Sequence, residues 1–249
     1  MLRSLTAMFV VAFVVTQVAI FTTTVWLHRT LSHKAVAMNP GVTWAFRIIT
    51  WITTGLRPRQ WVAVHRLHHA HSDEEGDPHS PRILGFNTVQ FGNAFLYRRT
   101  IAKTQVVARY AKDLPPDKWD TRLFDHALFG LGLGVAALCV ILGPIHGLIA
   151  GAIHAALYLL MSGAINAIGH KWGKRPHPNF ATNSQWLALL VGGEGLHNNH
   201  HAVPTAARFA FKKGEIDPGW YLIKLLEKFG WATVRHKPAV VKSKAKVAA

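Results

Sequence analysis

Hydrophobic positions along this chain come in long runs rather than in strand-like alternation, and the runs predict helices. Leu5 to Leu27 is 23 residues without a charge, against about 20 needed to cross a bilayer, and predicts a transmembrane helix. Only Arg3 precedes it, and it leads into a histidine pair without a small-residue cleavage site, so it is expected to stay in the mature protein. Val42 to Leu56 is shorter, contains Arg47 and is followed by Pro58, which suits an interfacial or re-entrant helix. Phe124 to Leu142 and Ile145 to Ile168, separated by Gly143-Pro144, predict a tight helical hairpin. The expected fold is an all-α integral membrane protein forming one domain over residues 1–249. It has three spans, at about 5–27, 124–142 and 145–168, an interfacial helix, and a helical cap built from 28–123 and 171–230. The basic tail, about 237–249, is expected to be disordered, with its lysines near anionic lipid.

Composition and charge refine that picture. Half the residues are apolar and 16% are charged, yet the net charge is +16, the signature of a membrane protein with basic aqueous faces rather than of a nucleic-acid binder. Lys and Arg number one in residues 1–27, fourteen in 28–123, none in 124–170 and thirteen in 171–249. The positive-inside rule then places the cap in the cytoplasm, and the N-terminus and the Gly143-Pro144 turn outside, in an inner (plasma) membrane. The lone Cys139 excludes a disulfide framework and thiolate metal sites within the chain.

The polar positions that change the picture most are histidines. His65, His68 and His69 stand at i, i+3 and i+4, one face of a helix, and the same spacing returns at His197, His200 and His201. His28 and His33 are five apart, which is not one α-helical face and predicts a helix end where the second ring swings back. Asn166 and His170 lie one turn apart at the end of the last span. His126, His146 and His154, inside apolar runs, are read as hydrogen-bonded or interfacial. Imidazole suits iron, copper, nickel and zinc, and eight or nine neutral ligands are too many for one ion and about right for two. Asp73, Glu74, Glu75, Asp77 and Glu194 are placed to orient imidazoles through their second nitrogens. Two metals at a bilayer surface favour oxygen chemistry on an apolar substrate.

Four blocks, HRTLSH, HRLHHAHSDEEGDPH, NAIGH and GEGLHNNHHAVP, resemble in order and spacing those of the integral-membrane fatty acid desaturases, specifically the Δ9 acyl-CoA (stearoyl-CoA) desaturase-like group of bacterial type. The resemblance implies two iron ions held by His28, His33, His65, His68, His69, His170, His197, His200 and His201, with Asn166 acting through a water. It also implies O2 as co-substrate and a saturated acyl chain given a cis double bond. Asp77 and Glu194 are expected behind the ligands. With no fused electron-carrier segment visible, the donor is expected to be a separate ferredoxin-type protein on the basic cytoplasmic face.

Animal-type relatives begin with a further transmembrane helix not found here, so the tunnel is expected to be more open or completed by a partner chain. They also carry an Arg-Asp pair where this chain has Ala63-Val64, which leaves acyl-CoA, acyl carrier protein and intact lipid open as the head group. Arg57, Arg59, Arg98 and Arg99 are the candidate head-group contacts. Ala12 and Thr16, three to four turns before His28 on one face, are expected at the far end of the acyl tunnel. A membrane hydroxylase or ketolase of lipids or carotenoids, and a non-catalytic metal-binding membrane protein, are the alternative readings.

Overall fold

The first apolar run begins as an ordinary helix and ends as a different one. In the structure, a computed structural model that describes residues 4–235, α1 covers Leu5–Thr22 and opens where the Ser4 hydroxyl accepts from the Ala7 amide at 3.1 Å. It continues without a break into a π-helix, π1, over Thr23–Ser32. Together Leu5–Ser32 is one of two stretches of 28 and 24 residues among those described that are long and apolar enough to cross a membrane. The outer face of α1 exposes Leu5, Phe9 and Phe13, four residues apart each time, as a lipid-facing stripe would.

The expected interfacial segment is α2, Pro40–Thr54, capped by Asn39 and ended by Gly55 at φ 63°. The hairpin is α7, Ala127–Leu142, and α8, Pro144–Ala167, joined at Gly143 with φ 88°. α8 is the second stretch of spanning length. α7 has 16 residues, a rise of about 24 Å against a hydrocarbon core of about 30 Å, so it falls short of the same test. The stretches expected to form the cap hold α3 (Pro58–Ala70), α4 (Pro81–Leu84), α5 (Phe86–Ile101), α6 (Thr104–Tyr110), a second π-helical turn π2 (Asp120–Phe124), α9 (Gln185–Leu190), α10 (His197–Ala202) and α11 (Pro218–Lys228).

One expectation is corrected: the described chain is not all-α. β1, Val36–Met38, pairs antiparallel with β2, Ala232–Val234, in the register Val36↔Val234, Ala37↔Thr233 and Met38↔Ala232. Three-residue strands have too little periodicity to announce themselves in sequence. The pairing ties the loop just after His33 to the end of the described chain. The tail expected to be disordered, 237–249, lies outside the described residues.

Close helix contacts set the site. α1 packs on α8, α2 on α7, and α5 on α8. The α5–α8 approach depends on Gly163, where a Cβ would sit 2.3 Å from the Gln90 carbonyl oxygen. That contact brings Asn93 and Tyr97 of α5 to the same cavity as Asn166 of α8. An apolar cluster of Val25, Trp26, Leu27, Phe46 and Ile223 supports π1 from behind.

Candidate metal centre

The five-residue separation of His28 and His33 is resolved by the helix type. A π-helix closes on i→i+5 hydrogen bonds, so residues five apart stack along one side. The His33 amide donates to the His28 carbonyl at 3.1 Å, and Thr30 and Ser32 return their hydroxyls to the carbonyls of Val25 and Leu27, also five back. The rings of His28 and His33 come within 4.9 Å, centroid to centroid. The expected helix end does fall at His33, which caps π1, and the i→i+5 closure of the π-helix is what brings its ring back beside His28.

α3 presents His65, His68 and His69 toward π1, and α10 presents His197, His200 and His201 from the opposite side, with His170 arriving just past α8. The nine imidazoles sort into two groups. His28, His33, His65, His69 and His200 form one, and His68, His170, His197 and His201 the other, the ligand atoms of each lying within 4.8 Å of one another. The sorting cuts across the sequence motifs: each HxxHH copy contributes to both groups.

Three buried carboxylates fix the ring orientations. Glu194 Oε1 faces His28 Nδ1 at 2.6 Å, Asp77 faces His68 Nδ1 at 2.9 Å, and Asp73 faces His170 Nδ1 at 2.6 Å. Each acid accepts from Nδ1–H, which leaves the Nε2 lone pair turned into the cluster. Facing Nε2 atoms then approach at 3.0 Å (His28–His200), 2.8 Å (His33–His65), 2.9 Å (His69–His200), 3.3 Å (His68–His201) and 3.2 Å (His197–His201). Burial, reinforced by the surrounding imidazoles, holds His33, His65, His68, His69, His197, His200 and His201 well below 6.5, in the neutral form. Burial pushes Asp77 up to about 6. Burial also disfavours the Asp73 carboxylate, but hydrogen bonds from His170 and Ser80 together outweigh it and keep that group below its ordinary value.

These residues fit a pair of transition-metal ions. Imidazole nitrogens about 2.0–2.1 Å from a common metal ion stand about 3 Å apart, close to the spacing of the facing Nε2 atoms. His170 Nε2 is buried without a hydrogen-bond partner among the described residues, as a nitrogen reserved for a metal would be. Neutral imidazoles suit iron, and the three carboxylates offset the ions' charge.

Below the clusters opens a cavity walled by Ile20 and Thr24 of the first helix, Trp61 and Val64 of α3, and Leu159 and Ile165 of α8, with His28, His65 and His197 at its roof. Asn166 lies in its wall and donates to Asn93 Oδ1 at 3.2 Å. Ala12 and Thr16, expected at the tunnel's far end, do not line this cavity. Ala12 is fully buried against Met8, Leu138, Leu142 and Ala150. Thr16 is fully buried too, and its hydroxyl meets His154 Nδ1 at 3.0 Å while His154 Nε2–H donates to the Thr53 carbonyl at 2.8 Å. Thr16, His154 and Thr53 thus form a polar bridge between α1, α8 and α2.

Among the arginines, Arg57 is held by Asp125, through the carbonyl at 2.5 Å and the carboxylate at 3.4 Å. Arg59 is half-buried, and Arg98 and Arg99 at the end of α5 are exposed. Glu74 and Glu75 are exposed, whereas Asp73 and Asp77 are buried, which separates the acids that touch imidazoles from those that face solvent. Sequence reading missed Arg29, which is fully buried and bonds Asp217 as well as the carbonyls of Ala207 and Gly192. The signal available was an arginine directly after a ligand-type histidine, and an aspartate before Pro218 at a helix start. His79 was missed as well; its ring centroid lies 4.5 Å from that of His68 and it borders the cavity.

The comparisons with known proteins agree with this geometry. The fatty acid desaturase family model matches residues 4–215, and the chain belongs to that family, whose members are oxidoreductases acting on fatty acyl chains. It is 34% identical over 227 residues to an acyl-CoA C20 Delta5-desaturase of Anemone leveillei, covering 89% of this chain and 71% of that protein. It is 29% identical to an sn-1 stearoyl-lipid 9-desaturase of Anabaena variabilis (84% and 76% covered). It is 30% identical to Delta-9 acyl-lipid desaturase 2 of Arabidopsis thaliana (84% and 68%). The clustered histidines suit a metal site and the apolar helices suggest membrane association.

Proposed function

We propose that this chain is an O2-dependent di-iron desaturase that introduces a cis double bond, at Δ9, into a saturated long-chain acyl group. The observation that carries the reading is the division of nine imidazoles into a five-membered and a four-membered group directly over an apolar cavity. One group would hold each iron, with Asn166 contributing through a water. Bound iron supplies, with O2 and two electrons, the oxidising power to remove hydrogen from an unactivated CH2. The protein's own part is positional. Glu194, Asp77 and Asp73 keep Nε2 of His28, His68 and His170 aimed at the ions. The cavity walls hold two adjacent methylenes under the clusters and exclude water, and an error of one ångström there is worth about 10²-fold in rate.

The head group, whether CoA, acyl carrier protein or lipid, sits in this reading over Arg57, Arg59, Arg98 and Arg99. Names of relatives include both acyl-CoA and acyl-lipid enzymes with Δ5 and Δ9 positions, so the carrier is left open. Three spans and a cytoplasmic cap in the inner membrane, within one domain, complete the arrangement; the confinement of all Lys and Arg but Arg3 to residues 28–123 and 171–249 supports it. Electrons come from a separate ferredoxin-type donor docked on the basic face, near the cleft where His33, His69 and His201 reach the surface beside Arg66. Expression in a host that lacks desaturases, followed by mass spectrometry of its fatty acids, tests the reading. New cis-monounsaturated chains are expected; hydroxylated or ketolated products with none would replace it by the hydroxylase alternative.

A further inference from the structure

The cavity beneath the histidines is lined by five hydroxyl groups, and four of them are satisfied by protein. Thr23 and Tyr158 bond each other at 2.8 Å, Thr24 donates to Glu194, and Ser162 accepts from Asn93 at 3.1 Å. The Tyr97 hydroxyl is buried at the same cavity with no hydrogen-bond partner among the described residues. A buried donor left unpaired is costly, so a group arriving with the ligand is the natural acceptor. A saturated acyl chain brings one such acceptor whatever its carrier: the carbonyl oxygen of its thioester or ester.

We propose that Tyr97 donates a hydrogen bond to the acyl carbonyl, and thereby sets the origin from which the double-bond position is counted. The inference rests on the desaturase reading above. Its location supports the role. Tyr97 stands in α5 immediately before the exposed Arg98 and Arg99, and Leu56, the residue before Arg57, lines the same cavity. The hydroxyl therefore lies between a cationic surface and the histidine-lined interior, where the carbonyl of a chain with its charged head group outside must rest. Burial pushes the phenol well above its ordinary value, so it remains a donor across the working pH range. A carbonyl anchor at one end and iron ligands at the other define a fixed number of methylenes between them, which is what a single product isomer demands.

The test is Tyr97→Phe, which keeps the ring and removes only the unpartnered oxygen. Parent and variant are expressed in a desaturase-free host fed stearic acid, with iron per purified chain measured alongside. The expected result is unchanged iron, product per iron-loaded chain reduced about three- to tenfold, and double bonds spread onto carbons adjacent to the parental position. Unchanged yield with the double bond at the single parental position overturns the proposal. A parent that produces no double bond overturns the desaturase reading and this proposal with it, so the two failures are told apart by the parent alone.

Discussion

The guanidinium of Arg29 meets the carboxylate of Asp217 through two parallel hydrogen bonds of 2.9 and 2.8 Å, across 188 residues of sequence and with both side chains buried. Arg29 also donates to the carbonyls of Ala207 and Gly192, and lies 3.8 Å over the Phe209 ring. Asp217 in turn accepts from the amides of Phe209 and Trp220. The pair therefore joins π1, which carries His28, to the segments on either side of α10. Gly193 is part of the same joint: a Cβ there would stand 2.1 Å from Asp217 Oδ1.

Breaking a buried ion pair from one side strands a charge, at a cost of about 3–5 kcal/mol. Asp217→Ala is therefore expected to lower the thermal unfolding midpoint in detergent and to deplete iron, although neither residue is a proposed ligand. An unchanged midpoint would show that the joint does not hold the two halves of the centre together.

The two-group arrangement makes separable predictions for its members. His200 belongs to the group with His28, and His68 to the group with His170. His200→Ala and His68→Ala are each expected to abolish desaturation, to leave membrane insertion intact, and to reduce iron from about two per chain to about one. One tightly bound zinc in the parent, with no iron, would contradict the assignment.

How much of this was written in the sequence depends on the range of each relationship. His65, His68 and His69 were legible because i, i+3, i+4 is itself the geometry of a helix face. The apolar runs were legible for the same local reason, though α7 came out shorter than its run. His28 and His33 were legible as a pair at a helix end, but nothing in HRTLSH announces that the helix ending there is a π-helix. The sorting into five and four was invisible, because His68 and His69 are neighbours in sequence yet join different groups. Arg29 with Asp217, and β1 with β2, depend on contacts near opposite ends of the chain and leave no periodic trace. Ala12 and Thr16 illustrate the converse: helical spacing placed them on one face, but only the His154 bridge reveals that the face meets protein.

Acid should destabilise the metal-free protein. Seven histidines are held neutral by burial in the folded state but regain a pKa near 6.5 when unfolded. Below that value the unfolded chain binds more protons, so stability is present above about 6.5 and withdrawn as pH falls. Each such group contributes up to ~1.4 kcal/mol per pH unit. Melting of apo-protein from pH 8 to pH 5.5 is expected to show a plateau and then a steep fall; a flat profile would mean that these rings are accessible to protons in the fold.

Docking of the electron donor should depend on salt. The cleft at His33, His69 and His201 is bordered by Arg66, which is tied to Asp113 at 2.6 Å, and the chain carries net charge +16. An acidic ferredoxin steered by this surface should transfer electrons more slowly as ionic strength rises from about 0.01 to about 0.15 M, where the screening length shrinks from about 30 to about 8 Å. Steady-state rates at saturating acyl substrate and limiting donor measure this, and salt-independent rates would point to a hydrophobic or membrane-bound contact.

Chain length should be governed one turn nearer the metals than sequence spacing suggests. Counting back from His28, the residues of the first helix that reach the cavity are Thr24, Thr23 and Ile20, and Ile20 stands eight residues before His28. The next residue toward the membrane on that face, Thr16, is engaged by His154, which closes the path. Ile20→Phe is therefore expected to shift products toward shorter acyl chains and Ile20→Ala toward longer ones. Ala12→Tyr, forced against Leu138 and Leu142, should overpack a helix contact at a cost of about 1–3 kcal/mol without changing selectivity among the molecules that fold. Product profiles from a mixed C14 to C20 feed decide the matter: a shift in Ala12→Tyr with none in either Ile20 variant would move the end of the tunnel back to α1's first turns.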